Sequence, residues 1–155
     1  MKDAIGSVFN LTLLFVFILI VSGFVLFGVN YYKAFQVKNA LLTYIEKYEG
    51  NVNNSNFKEK VNDTIKGVGY TGPGDDAIIS FKNNNTTGWQ CPYASGGSRY
   101  QGWCYFKRTY ITKTNTTTEF DVATFVSVDI PVINRIMLKF KFFQVVGRTK
   151  PILVR

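Results

Sequence analysis

The chain has no histidine, and of its 155 residues only two are cysteines and four are prolines. Without histidine, the commonest general base near neutral pH and the commonest imidazole metal ligand are both missing, so most catalytic schemes lose their usual member. The two cysteines, Cys91 and Cys104, form no Cys-x-x-Cys motif, which argues against a redox or zinc pair. Acidic residues are also few: ten Asp and Glu against eighteen Lys and Arg, a net charge of +8. The close acidic pairs Asp75-Asp76 and Glu119 with Asp121 have no nucleophile, metal-ligand spacing or glycine-rich phosphate loop beside them. They read as turn and strand-start residues. No catalytic residue, cofactor or metal is expected.

Charge of either sign is absent from Ala4 to Tyr32. At 1.5 Å per residue, the denser part from Val8 to Val29 crosses a hydrocarbon core of about 30 Å. A cleavable signal would have a shorter apolar run before a small-residue cut. Val21-Ser22-Gly23 resembles such a cut, but "FVLFGV" follows it at once. The segment is therefore expected to stay as an anchor, dividing the chain into a transmembrane half-helix over residues 1–30 and an extracytoplasmic domain over 31–155. Flanking charge says little about orientation, with Lys2 and Asp3 on one side and Lys33 and Lys38 on the other. The cysteines and a downstream composition of Thr, Asn, Gly and aromatics favour a carboxyl-terminal domain outside the membrane.

After Val29 the all-round apolar pattern narrows to a stripe of Ala34, Val37, Leu41, Ile45 and Tyr48, spaced by three or four residues. One helix from about Phe9 to Glu49, roughly 60 Å long, accounts for both patterns, with Gly50 and "NVNNSN" as the stop. A membrane anchor joined by a bend at Gly28 and Asn30 to a separate helix is the alternative. Asn56 with Glu59 reads as a capping pair for a short second helix carrying Phe57, Val61 and Ile65 and ending at Gly67. Beyond it the punctuation becomes dense and alternation replaces the helical period. Strands are expected at Ala77 to Lys82, Trp103 to Thr112, Glu119 to Asp129 and Arg135 to Val146, with "NNNTTG" and "TKTNTTTE" as hairpin tips. In "RIMLKFKFF", Met137, Lys139 and Lys141 alternate with Leu138, Phe140 and Phe142, so the aromatic face should lie on the long helix. The fold class is α+β: a long helix, a short second helix and a carboxyl-terminal antiparallel sheet packed on the long helix.

Cys91 and Cys104 enclose twelve residues in "CPYASGGSRYQGWC". A disulfide closing a loop of that size contributes about 3 kcal/mol on the chain-entropy account. Around it sit Trp89, Tyr93, Tyr100 and Trp103 with Tyr105 and Phe106. The first four are candidates for surface recognition of a glycan or protein; the alternative is that they fill the space under the hairpin. The basic residues Arg135, Lys139, Lys141, Arg148, Lys150 and Arg155 could meet anionic surfaces, but their alternation with apolar residues fits the solvated face of an edge hairpin. No specific nucleic-acid partner is expected. Sequons occur at Asn62, Asn85 and Asn115, among others.

The amino-terminal "KDAIGSVFNLTLLFVFILIVSGFVLFGVNYYKAFQVKN" and the terminal "VSVDIPVINRIMLKFKFFQVVGRTKPI" resemble the TadE-like minor pilins or pseudopilins of bacterial tight-adherence systems, within the type IV pilin superfamily. The resemblance covers both ends and not the cysteine loop. It departs from peptidase-processed pilins at one place: Gly6 stands where the cut would fall, but the fifth residue after it is Leu11 rather than Glu. The resemblance implies a pilin-like fold and a non-enzymatic component of an adhesive or secretion filament. It further implies residence in the cytoplasmic membrane before assembly, a place at the cell surface or in a pilus afterwards, and copies of itself or other pilin-like subunits as partners. The small residues Ser22, Gly23 and Gly28 would then let apolar helices approach one another. The rival function is a membrane-tethered module that binds a glycan or protein through the aromatic disulfide loop.

Overall fold

Forty-six residues form one unbroken helix, α1 (Lys2–Lys47), about 69 Å long at 1.5 Å per residue. The structure is a computed structural model that describes residues 2–84, 88–94, 97, 99–111, 115–127 and 142–154, and the side chains of all of these except 2–7, 127, 142 and 154. The helix runs through Gly28 and Asn30, so no bend divides an anchor from a second helix. Its two halves meet different surroundings. From Val8 to Leu26 nearly all apolar side chains are exposed, whereas Ala34, Val37, Leu41 and Ile45 are buried in the core. The stop is as the sequence indicates: Glu49 and Gly50 turn left-handed, and the Gly50 N–H reaches back to the Ile45 carbonyl at 2.8 Å.

A short helix, α2 (Ser55–Val68), buries Phe57 and Val61 against this core. Its cap is Asn54 rather than Asn56: the Asn54 side chain accepts from the Asn56 N–H at 2.8 Å. Gly67 stays helical, and the next glycine, Gly69, takes the left-handed closing position.

Residues expected as a strand, Ala77 to Lys82, instead lie in a third helix, α3 (Asp75–Asn84), which also takes in the start of the "NNNTTG" stretch. Over six residues a strand and a helix leave nearly the same apolar pattern. Two other features decide it. Asp75 and Asp76 fall in the first turn, where carboxylates favour the helix N-terminus, and Ala77, Ile78 and Phe81 share one buried face.

The sheet is antiparallel and has four strands: β1 (Trp103–Ile111), β2 (Thr116–Ser127), β3 (Phe142–Arg148) and β4 (Ile152–Val154). β2 is central, with β1 along one side and β3 and then β4 along the other. β2 starts at Thr116, so part of "TKTNTTTE" is strand and not hairpin tip. Thr112, Asp129, residues 135–141 and the Phe142 side chain lie outside the described part, and with them the expected charge and aromatic alternation. Within β3 it is Phe143, Val145 and Gly147 that meet α1. The Phe143 ring sits 5.5 Å from that of Phe27, and a Cβ on Gly147 would lie 2.9 Å from Leu42 Cδ1.

Alternation along β2 gives the sheet two buried faces. Phe120, Val122 and Val126 join the core under α1 and α2, while Ala123 and Phe125 pack with Ile78 and Phe81 of α3. Thr124, fully buried on the α1 face, donates to the Ala34 carbonyl at 3.0 Å. Asp121 is 4% exposed and is held by Arg108 at 2.7 Å and Arg148 at 2.6 Å, the latter its cross-strand neighbour. Asp121 and Glu119 are thus ion-pair partners as well as strand residues, and Arg148 is not a free basic site.

Tyr70, between α2 and α3, ties the layers together. Its hydroxyl lies 2.6 Å from the Gly102 carbonyl and 2.8 Å from that of Phe125, and accepts from the Phe125 N–H at 2.9 Å. Beside it the backbones of Gly72 and Gly102, both with positive φ, come so close that a Cβ on either would stand 2.8 Å from the other's Cα. Burial pushes the Tyr70 phenol well above the ordinary tyrosine range. We expect Tyr70→Phe to lower unfolding free energy by about 1–3 kcal/mol in denaturant titration, because the Gly102 carbonyl and the Phe125 amide lose this partner. In the wild type the raised folded-state pKa means that this contribution is fully present below pH ~10 and declines above it, as the unfolded phenol ionises first. Tyr70→Phe should flatten that alkaline decline.

Candidate functional site

Two regions extend beyond the packed core: the exposed stem of α1 and the rim of the disulfide loop beside α2. In the stem the apolar side chains point all round, so no face is reserved for the domain. The hydroxyls of Thr12 and Ser22 donate to the carbonyls of Val8 and Ile18, four residues back, at 2.9 and 2.7 Å. Internal satisfaction of this kind is what a helix needs in hydrocarbon. By length and composition α1 is able to cross a membrane. At its base, Lys33 donates to the Gly69 carbonyl at 3.2 Å and the Lys38 ammonium lies 4.2 Å from the Phe35 ring centroid. Both cations are engaged by the protein.

The three small residues of the stem do not form one surface. At 100° per residue, Gly23 lies within about 20° of the direction of Ala34, on the sheet side, whereas Gly28 points about 120° away from it. A Cβ added to Gly28 meets nothing within 4 Å. Gly28 is the open position, and the Ser22 hydroxyl is turned inward to its own helix.

Cys91 and Cys104 are joined in a disulfide. Cys104 belongs to the α3-side core and is fully buried. The four aromatic candidates separate sharply. Trp103 is 2% exposed and packs against Phe57 and Tyr105, so it is a core residue with almost no exposed ring for recognition, a correction to the sequence reading. Trp89 is half-buried between Phe81 and Phe106, at 5.2 and 6.0 Å, and fills space under the hairpin. Alternation on β1 sends Trp103 inward, and periodicity in the loop could not foretell it. Tyr93 and Tyr100 do remain at the surface. Their rings stack at 4.4 Å, their hydroxyls are 2.9 Å apart, and Tyr93 is 56% exposed. The hydrogen bond to Tyr93 raises the Tyr100 phenol pKa, and the Tyr100 N–H donates to Asp75 at 3.0 Å, fixing the pair to α3.

A groove of about 410 Å³ opens between α2 and this loop. Sequence reasoning missed the amides that line it, because they come from three separate segments. Trp103 Nε1 donates to Gln101 Oε1 at 3.0 Å, and Gln101 Nε2 donates to Asn62 Oδ1 at 2.7 Å. The Tyr105 hydroxyl donates to Gln90 Oε1, and its phenol pKa is raised by burial. No cluster of three or more potential metal-ligating side chains occurs among the described residues.

Comparison of the chain with protein families, with characterised proteins and with solved structures finds no match.

Because Trp103 is core and Tyr93 is not, their alanine variants should diverge. We expect Trp103→Ala to cost about 3–5 kcal/mol in unfolding free energy, and Tyr93→Ala less than about 1 kcal/mol, in thermal or chemical denaturation. Joint replacement of Cys91 and Cys104 by alanine should remove about 3 kcal/mol through the freed loop.

Proposed function

We propose that this protein is a membrane-anchored, pilin-like subunit without catalytic activity, which assembles with copies of itself or with related subunits through its apolar amino-terminal helix. The carrying observation is the single 46-residue helix, buried on one stripe under the sheet and exposed on all sides over its amino-terminal half. A helix of this form can exchange lipid for neighbouring helices without changing its own conformation, since its backbone bonds are internal and the Thr12 and Ser22 hydroxyls are satisfied within it. The head rides on the same rigid rod and moves with it. This is the arrangement expected of a tight-adherence or type IV-like filament or secretion component, and the resemblance at both ends of the sequence agrees with it.

The reading includes a single membrane pass with the carboxyl-terminal domain on the outer side, and exposure at the cell surface after assembly. The disulfide supports that side, because such bonds persist in oxidising compartments. The charges that lean the other way, Lys33 and Lys38, are tied to the Gly69 carbonyl and the Phe35 ring.

Gly28 is the position that tests assembly. In the monomer a larger side chain there meets open space, so Gly28→Leu should leave thermal unfolding of the domain unchanged. Between packed helices the added bulk holds backbones apart. Expected is loss of the higher crosslinked species when membranes containing the variant are treated with a bifunctional reagent, with insertion retained. Crosslinking ladders identical to wild type would count against a helix interface at this face.

A further inference from the structure

The groove beside the disulfide loop has a chemistry that membrane anchoring and helix assembly do not use. Most of its polar groups are neutral and hold one another in place: the Trp103, Gln101 and Asn62 relay forms one wall, and the Tyr105 to Gln90 bond another. With its Oε1 engaged by Tyr105, Gln90 keeps its amide N–H groups without a partner among the described residues, at an exposed position on the rim. Tyr93 lines the same groove, stacks on Tyr100 and is 56% exposed, so part of its ring stays open to a ligand. Among the described residues no carboxylate lines the groove, and Lys58 is the one charged lining residue.

We propose that this groove binds a short neutral saccharide. A sugar ring presents hydroxyls that both donate and accept, together with a C–H face that packs on an aromatic ring, and amides beside an open tyrosine face complement both. A cationic ligand would find no counter-charge here. An anionic one would depend on a single exposed lysine, whose contribution solvent screens. The volume lies within the range of small-ligand clefts. The site is also built before a ligand arrives. The disulfide ties the loop to β1, Asp75 anchors Tyr100, and the amide relay fixes the wall, so little ordering is left for binding to oppose. The inference goes beyond the assembly reading and stands independently of it.

The test uses the full chain in detergent micelles, titrated with maltotriose, cellotriose and triacetylchitotriose and followed by saturation-transfer NMR and calorimetry. At least one of the three should bind saturably. Tyr93→Ala and Gln90→Ala should each weaken that binding by about tenfold while the domain stays folded, as its circular dichroism and cooperative unfolding show, and Lys58→Ala should leave it within about twofold. Gly28→Leu should bind as wild type, which separates failure here from failure of the assembly reading. The proposal is overturned if none of the three saccharides binds, or if binding survives both Tyr93→Ala and Gln90→Ala. It is equally overturned if binding is lost in Lys58→Ala alone, the mark of an anion, or if an Asn/Thr-rich peptide displaces the sugar at lower concentration, the mark of a peptide groove.

Discussion

A helix long enough to cross a membrane and then continue as the spine of a folded domain has to satisfy two surroundings with one backbone. The regular hydrogen bonding of α1 does this without a break, and the change from one surrounding to the other is written only in side chains. As far as Leu26 apolar residues occupy every direction; from Ala34 onward they are confined to a stripe. The docking of the sheet depends on that narrowing. Ala34 is small enough to let β2 approach, and its carbonyl accepts the buried Thr124 hydroxyl. Gly147 brings β3 equally close to Leu42 and Lys38. The sheet therefore sits on a spine whose position is set at both ends of the contact.

Burial of β2 on both faces has a consequence for the rest of the domain. A central strand between two layers disfavours unpartnered polar groups, and most are specifically held: Thr124 by Ala34, Asp121 by two arginines, and the Phe120 N–H by the buried Thr149 hydroxyl at 2.9 Å, while among the described residues the buried Thr118 hydroxyl is an exception. Tyr70 does the same for the connection between the layers, reaching Gly102 on one side and Phe125 on the other. These groups add directional constraint to an apolar core that would otherwise be held by packing alone.

Stem and head are thus separable in chemistry though continuous in structure. The stem offers apolar surface and internally satisfied hydroxyls, which suit lipid or other helices. The head offers a disulfide-braced rim with a stacked tyrosine pair and an amide-lined groove, which suit recognition in water. On the proposed readings a rod joining the two carries the head wherever the stem is inserted, and assembly and recognition need not compete for the same residues.

Much of this was determined by local sequence. The charge-free run, the stripe Ala34, Val37, Leu41, Ile45, the stop at Gly50, the second helix with Phe57 and Val61, and the pairing of two lone cysteines all follow from spacing and composition, which act over a few turns or along one loop. The strand at Trp103 and the central strand were legible by alternation, although β2 reaches back to Thr116 because β1 and β4 are there to pair with it. What the tertiary structure decided were matters of neighbours. Ala77 to Lys82 became helical because Asp75 and Asp76 open a turn and Phe125 supplies the surface that Ile78 and Phe81 cover. Trp103 went to the core while Tyr93 stayed outside, since the start of β1 is covered on both faces, by α1 and α2 on the Trp103 side and by α3 on the Cys104 side, and only the packing of those helices determines that. The groove was invisible for the same reason: Asn62, Gln90 and Gln101 are ordinary amides in sequence, and they become a wall only when α2, the loop and the start of β1 are brought within hydrogen-bond reach of one another.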